Sequence, residues 1–288
     1  MGRLTQSLPV GSERPNLNSI VKERWKVYAI EAAGLGGFLF VVGVVDSFFF
    51  APQSPLYSVT SSDGLKRLFV GLGAGLYFIA LIYSPLGKES GAHINPSITL
   101  GFLRLGKVHT VDAGFYIAAQ FIGAVLGVAL FAAAMGSWAS DPEVNYIVTA
   151  PGEWGWWAAF MAELAITFAM MLLVLESTSS DRFSSYTGLF AGAWLAVLIL
   201  FESPISGTSL NPARSTGSDV IAVEWNNLLL YFVAPPLGAQ LAVLAHLRRD
   251  KNRRAPCAKL HHHPTDHPGT QRCIMKDCSH RNAIAGTA

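Results

Sequence analysis

Hydrophobic residues gather into six long runs, at 26–48, 65–84, 112–136, 155–175, 186–201 and 227–247, parted by shorter polar stretches. Each run is near the ~20 apolar residues that a tilted helix needs to cross a hydrocarbon layer. The pattern predicts six crossings, and an even number puts both ends of the chain on one side. Gly34, Gly37, Gly71, Gly73, Gly123, Gly127, Gly188 and Gly192 fall inside or beside these runs. Their spacing lets helix backbones approach, although glycine is also simply common in membrane helices.

Two segments break the apolar pattern in the same way. Residues 90–99 (SGAHINPSIT) and 206–215 (SGTSLNPARS) both read Ser-Gly, three residues, Asn-Pro and a small residue. An Asn side chain can cap a helix whose first residue is Pro, where the missing N–H costs nothing. The apolar stretch after the first cap, 96–103, is eight residues, which at about 1.5 Å each is roughly 12 Å, under half the core thickness. These are half-helices, not crossings. Glu31 and Glu163 sit in the first helix of each half, and AQFIGA at 119–124 parallels APPLGA at 234–239 in the third. Three crossings per half is odd, so the second copy enters from the opposite face, giving an inverted repeat with its site at the bilayer midplane. The expected organisation is an N-terminal tail (1–24), a first repeat (25–136), a connecting loop (137–154), a second repeat (155–247) and a C-terminal tail (248–288).

Composition agrees with an all-α membrane protein: of 288 residues, 51% are hydrophobic and 14% charged, with a mean hydropathy of +0.37. The net charge of +2 conceals a strong asymmetry. With both termini cytoplasmic, 18 of the 21 Lys and Arg residues face inward, and the loop 137–153 carries only acidic charge. That balance argues for topology and against a nucleic-acid partner. The first 25 residues are polar and contain Pro9 and Pro15, so no cleavable signal peptide is expected. No nucleophile and base, metal cluster or phosphate-binding glycine loop marks the apolar core, so neither enzymatic activity nor a cofactor is expected.

The paired Asn-Pro segments, the two helix glutamates and the run Asn211-Pro212-Ala213-Arg214-Ser215 resemble the aquaporin family, also called major intrinsic proteins. The similarity covers about 27–247. It implies six helices plus two re-entrant half-helices around a passive pore for water and small neutral solutes, set in membrane lipid and assembled as a homotetramer. Asn95-Pro96-Ser97 and Asn211-Pro212-Ala213 would form the midplane constriction, where two helix dipoles direct partial positive charge at any cation or proton. Each Asn would keep an amide N–H for a passing oxygen, while backbone carbonyls supply acceptors. Ser97 is a mild departure from the family's alanine.

The resemblance also places a selectivity filter at Arg214 and, by counting from the two Asn residues, at Gly75, Ile199 and Thr208. A guanidinium in an apolar setting must face water or carbonyls; at a constriction it donates to neutral solutes and repels cations. Water-selective relatives carry an aromatic at the first place and His at the second, so Gly75 and Ile199 imply a wider, less polar filter that passes glycerol, urea or peroxide. Ser215 and Tyr231-Phe232 look instead like the water-channel branch, and Asp219 fits neither branch.

Glu31 and Glu163 have two readings, proton coupling or support of the re-entrant loops, and the resemblance favours support. His93 lines the cytoplasmic mouth or satisfies loop carbonyls. The tail holds Cys257, Cys273, Cys278 and the run His261-His262-His263. Its composition fits disorder with reduced thiols better than a zinc site. The basic cluster just past the last helix fits positive-inside orientation and anionic lipid. An ion-coupled transporter of a small neutral solute is the rival class. Broken helices occur there too, but neutral Asn-Pro caps without an acidic pair suit uncoupled permeation.

Overall fold

The computed structural model describes residues 17–180, 182–249 and 257–260. The described residues form ten α-helices and no strand: α1 (Leu17–Phe50), α2 (Asp63–Tyr83), α3 (Pro85–Ser90), α4 (Pro96–Arg104), α5 (Thr110–Met135), α6 (Gly155–Thr178), α7 (Thr187–Phe201), α8 (Ser203–Ser206), α9 (Pro212–Ala222) and α10 (Leu228–Arg249). Six of these segments have the length and apolarity of membrane spans. The half-helices run 9 residues in α4 and 11 in α9, about 14 and 17 Å at 1.5 Å per residue, roughly half of a ~30 Å hydrocarbon core.

The first five helices and the last five are copies of one unit. Adding five to a helix number maps the packing onto itself: α1 lies along α5 as α6 lies along α10, α5 touches α9 as α10 touches α4, and α2 packs on α7. Glycine makes these approaches close. A β-carbon at Gly123 or Gly127 of α5 would overlap the backbone carbonyls of Ala32 and Gly36 on α1, and one at Gly238 of α10 would overlap that of Leu164 on α6. The outward faces carry exposed Leu76, Ile122, Leu126, Leu130 and Leu229. Trp25 near one end and Trp154, Trp157 and Trp225 near the other are also exposed, as in a lipid-facing belt with interfacial aromatics.

One boundary differs from expectation. Helix α1 begins at Leu17, not at residue 25, because Val21, Lys22, Glu23 and Arg24 continue it beyond the apolar run. At 34 residues it is about 51 Å long and overshoots a ~30 Å core. The overhang is tied down where Arg24 pairs with buried Asp112 at the start of α5 (2.5 Å) and Tyr28 donates to the same carboxylate (2.7 Å). Most of the predicted tail, including Cys273, Cys278 and the histidine run, lies outside the described residues. Cys257–Leu260 does not, and it is buried at Cys257, Ala258 and Leu260.

Candidate pore and filter

The two Asn-Pro caps meet at the middle of the bundle. The Asn95 side-chain oxygen accepts from the Ser97 N–H (2.8 Å), and that of Asn211 accepts from Ala213 (3.0 Å) and Arg214 (3.2 Å), closing the N-termini of α4 and α9. Each amide nitrogen then crosses to the opposite loop: Asn95 donates to the Leu210 carbonyl (2.9 Å) and Asn211 to the Ile94 carbonyl (2.8 Å). An amide has two N–H groups, so one of the pair ties the loops together and one remains for the channel. Both Asn residues line the inner cavity.

The preceding loops are forced into an unusual backbone. Ala92 and Ile94 in the first, and Thr208 and Leu210 in the second, have φ between 39° and 54°, a left-handed region that costs L-residues of order 1–2 kcal/mol each. Buried carboxylates hold them there. Glu31 accepts from the His93 and Ile94 N–H groups (3.1 and 2.6 Å), the Ser90 hydroxyl (2.8 Å) and the Gln120 amide (2.9 Å). Glu163 accepts from the Ser209 and Leu210 N–H groups (2.6 and 2.8 Å) and the Ser206 hydroxyl (2.7 Å). Tyr116 and Tyr231 complete the copy by donating to the Ser90 and Ser206 carbonyls (2.7 and 2.6 Å). Both carboxylates accept from donors of the re-entrant loops.

Two cavities adjoin along this axis. The outer one, of ≈ 270 Å³, is lined by Asp46, Arg67, Val70, Glu143, Ile147, Ile199, Thr208 and Arg214 among others. The inner one, of ≈ 60 Å³, is lined by Phe78, His93, Asn95, Ile98, Met170, Val174, Asn211 and Leu260 among others. Phe38, Leu195, Ser209 and Arg214 line both, so the two meet at the arginine. Arg214 donates to the Ile147 carbonyl (2.7 Å). That carbonyl is presented by a left-handed turn over residues 145–147, with φ of 39° to 55°, and Asn145 fastens the turn to Glu224 (2.9 Å). The connecting loop is thus part of the filter wall, which its polar sequence does not announce.

Ile199, Thr208 and Arg214 therefore come together, and Gly75 does not join them. Gly75 faces α7, where a β-carbon would lie 2.6 Å from the Gly192 carbonyl oxygen, and it lines neither cavity. On α2 the cavities touch Arg67, Val70 and Phe78, and Ala74, one turn from both Val70 and Phe78, lies on that stripe. One residue along a helix turns a position by about 100°, which is what separates Gly75 from the Val70 and Phe78 face.

Three vestibule groups escaped the sequence reading. Asp46 is a carboxylate inside an apolar run, the same signal that marked Glu31. Arg67 and Glu143 read as ordinary loop and helix-end charges. A fourth group, Glu202, lies beside Thr208: its carboxylate accepts from the Thr208 hydroxyl (2.5 Å) and lies 2.5 Å from the Ser206 oxygen, which it shares with Glu163, so the threonine's donor is taken up by Glu202.

Comparison with known proteins agrees with this geometry. The chain is 33% identical over 199 residues to "Probable aquaporin NIP7-1" of Arabidopsis thaliana, covering 65% of this chain and 68% of that one. It is 32% identical over 186 residues to "Aquaporin Z" of Rhodopseudomonas palustris, covering 62% and 77%. The fold matches the X-ray structure of the aquaglyceroporin from Plasmodium falciparum with a TM-score of 0.62 at 21% identity, covering 76% of this chain and 94% of that one. A family model described as "Major intrinsic protein" matches residues 22–246. With that match across most of its length, the chain belongs to the major intrinsic protein family.

Proposed function

We propose that this chain is a passive channel for water and small uncharged solutes whose filter is made by Ile199, Thr208, Arg214 and the α2 stripe of Val70, Ala74 and Phe78. The observation that carries this reading is the pair of crossed Asn caps. They direct two helix N-termini and two amide donors at one point on the axis, a barrier to cations and a waypoint for a neutral oxygen. Among the described residues no imidazole lines the outer cavity, and its aromatics are Phe38, beside Arg214, and Phe50. Val70 and Ile199 leave its wall apolar, and Thr208 is turned to Glu202, so Arg214 is the donor that a solute meets between the two cavities. A polyol or urea slides along the aliphatic wall while bonding to the arginine.

The basic residues near the starts of α1 and α5 and the end of α10, set against Asp141, Glu143 and Glu153 at the other end, support cytoplasmic termini. The apolar outward faces support a setting in lipid, and membership of the family supports assembly as a homotetramer with one pore per subunit. Proteoliposomes given osmotic steps of an impermeant solute, glycerol or urea test the whole reading by light scattering. The expected result is water and solute flux linear in the gradient and independent of ion gradients. Water flux without glycerol or urea flux would overturn the broad filter, and saturable flux driven by an ion gradient would overturn the channel.

A further inference from the structure

We infer that the inner mouth of the pore is a binding site for a segment of the chain itself, residues 257–260, which seats there as a plug. This rests on the pore reading above. Ala258 is fully buried, and Cys257 and Leu260 are 1% exposed. The Leu260 side chain reaches the inner cavity and lines it together with Asn95, Ile98 and Asn211. Two hydrogen bonds fix the segment to the first re-entrant loop. The Leu260 N–H donates to the Gly91 carbonyl (3.2 Å), and His93 Nε2 lies 2.6 Å from the Ala258 carbonyl. A carbonyl only accepts, so Nε2 carries the proton, and His93 gives to the segment a donor that would otherwise face solute in the mouth.

The site is built for a short apolar peptide. The His93 ring is stacked on Phe102 at 5.1 Å and is edge-on to Tyr116 at 5.5 Å, which holds the imidazole still behind its donor. The eight steps from Arg249 to Cys257 can span up to about 28 Å between the end of α10 and the mouth. At the opposite mouth the connecting loop also folds inward, yet a cavity of ≈ 270 Å³ stays open beside Arg214; with Leu260 seated, only ≈ 60 Å³ remains on the inner side. Permeation requires the segment to leave, so the seated chain is the closed channel, and any cytoplasmic factor that draws the tail away opens it.

The test uses the full chain in proteoliposomes, with Cys273→Ser and Cys278→Ser so that Cys257 alone reports. Leu260→Asp puts a charge into the apolar seat and should shift the seated fraction at least tenfold toward release, the scale of losing one buried leucine. Water permeability should rise, and maleimide labelling of Cys257 should accelerate by a similar factor. Leu260→Ala, a milder change, should give intermediate values of both. Equal permeability in parent and variants, or labelling of Cys257 as fast in the parent as in Leu260→Asp, would overturn the plug. Protection of Cys257 with no flux in any variant would overturn the pore reading and the plug with it. That outcome differs visibly from an open channel that ignores Leu260.

Discussion

The two re-entrant loops share a skeleton and differ in what they show the channel. Each has a carboxylate behind it, a left-handed backbone at the residue before its Asn, a tyrosine on its serine carbonyl and an amide crossing to the other loop. Three residues past each Asn, however, one copy carries Ile98 and the other Arg214. Two residues before each Asn stand His93 and Ser209. Symmetry therefore belongs to the structural hydrogen bonds, which the fold needs twice, and asymmetry to the channel wall, where the second loop alone carries a guanidinium. A second guanidinium on the inner side would only add repulsion and desolvation cost.

Breaking the shared part should cost most. Glu31→Ala leaves two buried backbone N–H groups, a hydroxyl and one N–H of the Gln120 amide without their acceptor, and Glu163→Ala strands two N–H groups while the Ser206 hydroxyl keeps Glu202. At 1–3 kcal/mol for each orphaned donor, either change should destabilise the bundle by roughly 3 kcal/mol or more. Thermal unfolding in detergent should show Glu31→Ala as the worse of the two, with the Gln variants intermediate, because an amide keeps one accepting oxygen and turns its NH2 toward the donors of the other. If the carboxylates were proton carriers, Gln would abolish flux while leaving stability nearly intact.

Breaking the asymmetric part should cost selectivity instead. Arg214→Ile makes the two loops alike at that position. It should preserve the fold and raise cation leak and glycerol flux about tenfold, the equivalent of removing about 1.4 kcal/mol of barrier. Planar-bilayer conductance and glycerol swelling check the two parts. Narrowing the wall is the complementary change. Ala74→Phe with Ile199→His should reduce glycerol flux by about tenfold while holding water within about threefold, because only the larger solute meets the added rings.

How much of this was legible in the sequence follows from the same division. The paired caps, the glutamates and the inverted order of helices are carried by residue type and spacing, so they could be read directly. Pore-facing register was not. Gly75 sits one residue from the stripe of Val70, Ala74 and Phe78, and a helix turns one residue into a different face. The Ile147 carbonyl and the seat of Leu260 were also hidden, because backbone acceptors and a short apolar segment in a polar tail leave no side-chain pattern. Glu202 sits beside Ser203-Pro204 like any helix-end residue, and only its distance to Thr208 gives it a role. The Gly75 correction has its own test. Gly75→Ala should overpack the α2 and α7 contact, costing about 1–3 kcal/mol of stability, with the ratio of glycerol to water flux unchanged. A shift in that ratio without loss of stability would return Gly75 to the channel.

The smallest effect expected concerns the group beside Thr208. Glu202 holds the Thr208 hydroxyl at 2.5 Å, so the second loop offers the channel fewer donors than its sequence implies. Glu202→Gln keeps an acceptor in the same place and should change solute ratios by less than about twofold. Glu202→Ala releases the hydroxyl. One added neutral hydrogen bond, worth about 0.5–1.5 kcal/mol net, should raise glycerol relative to water by about threefold in the swelling assay. Adding Thr208→Val to that background removes the hydroxyl and should erase the gain. If the gain survives Thr208→Val, the carboxylate acts through its charge or its volume, and the threonine is a spacer.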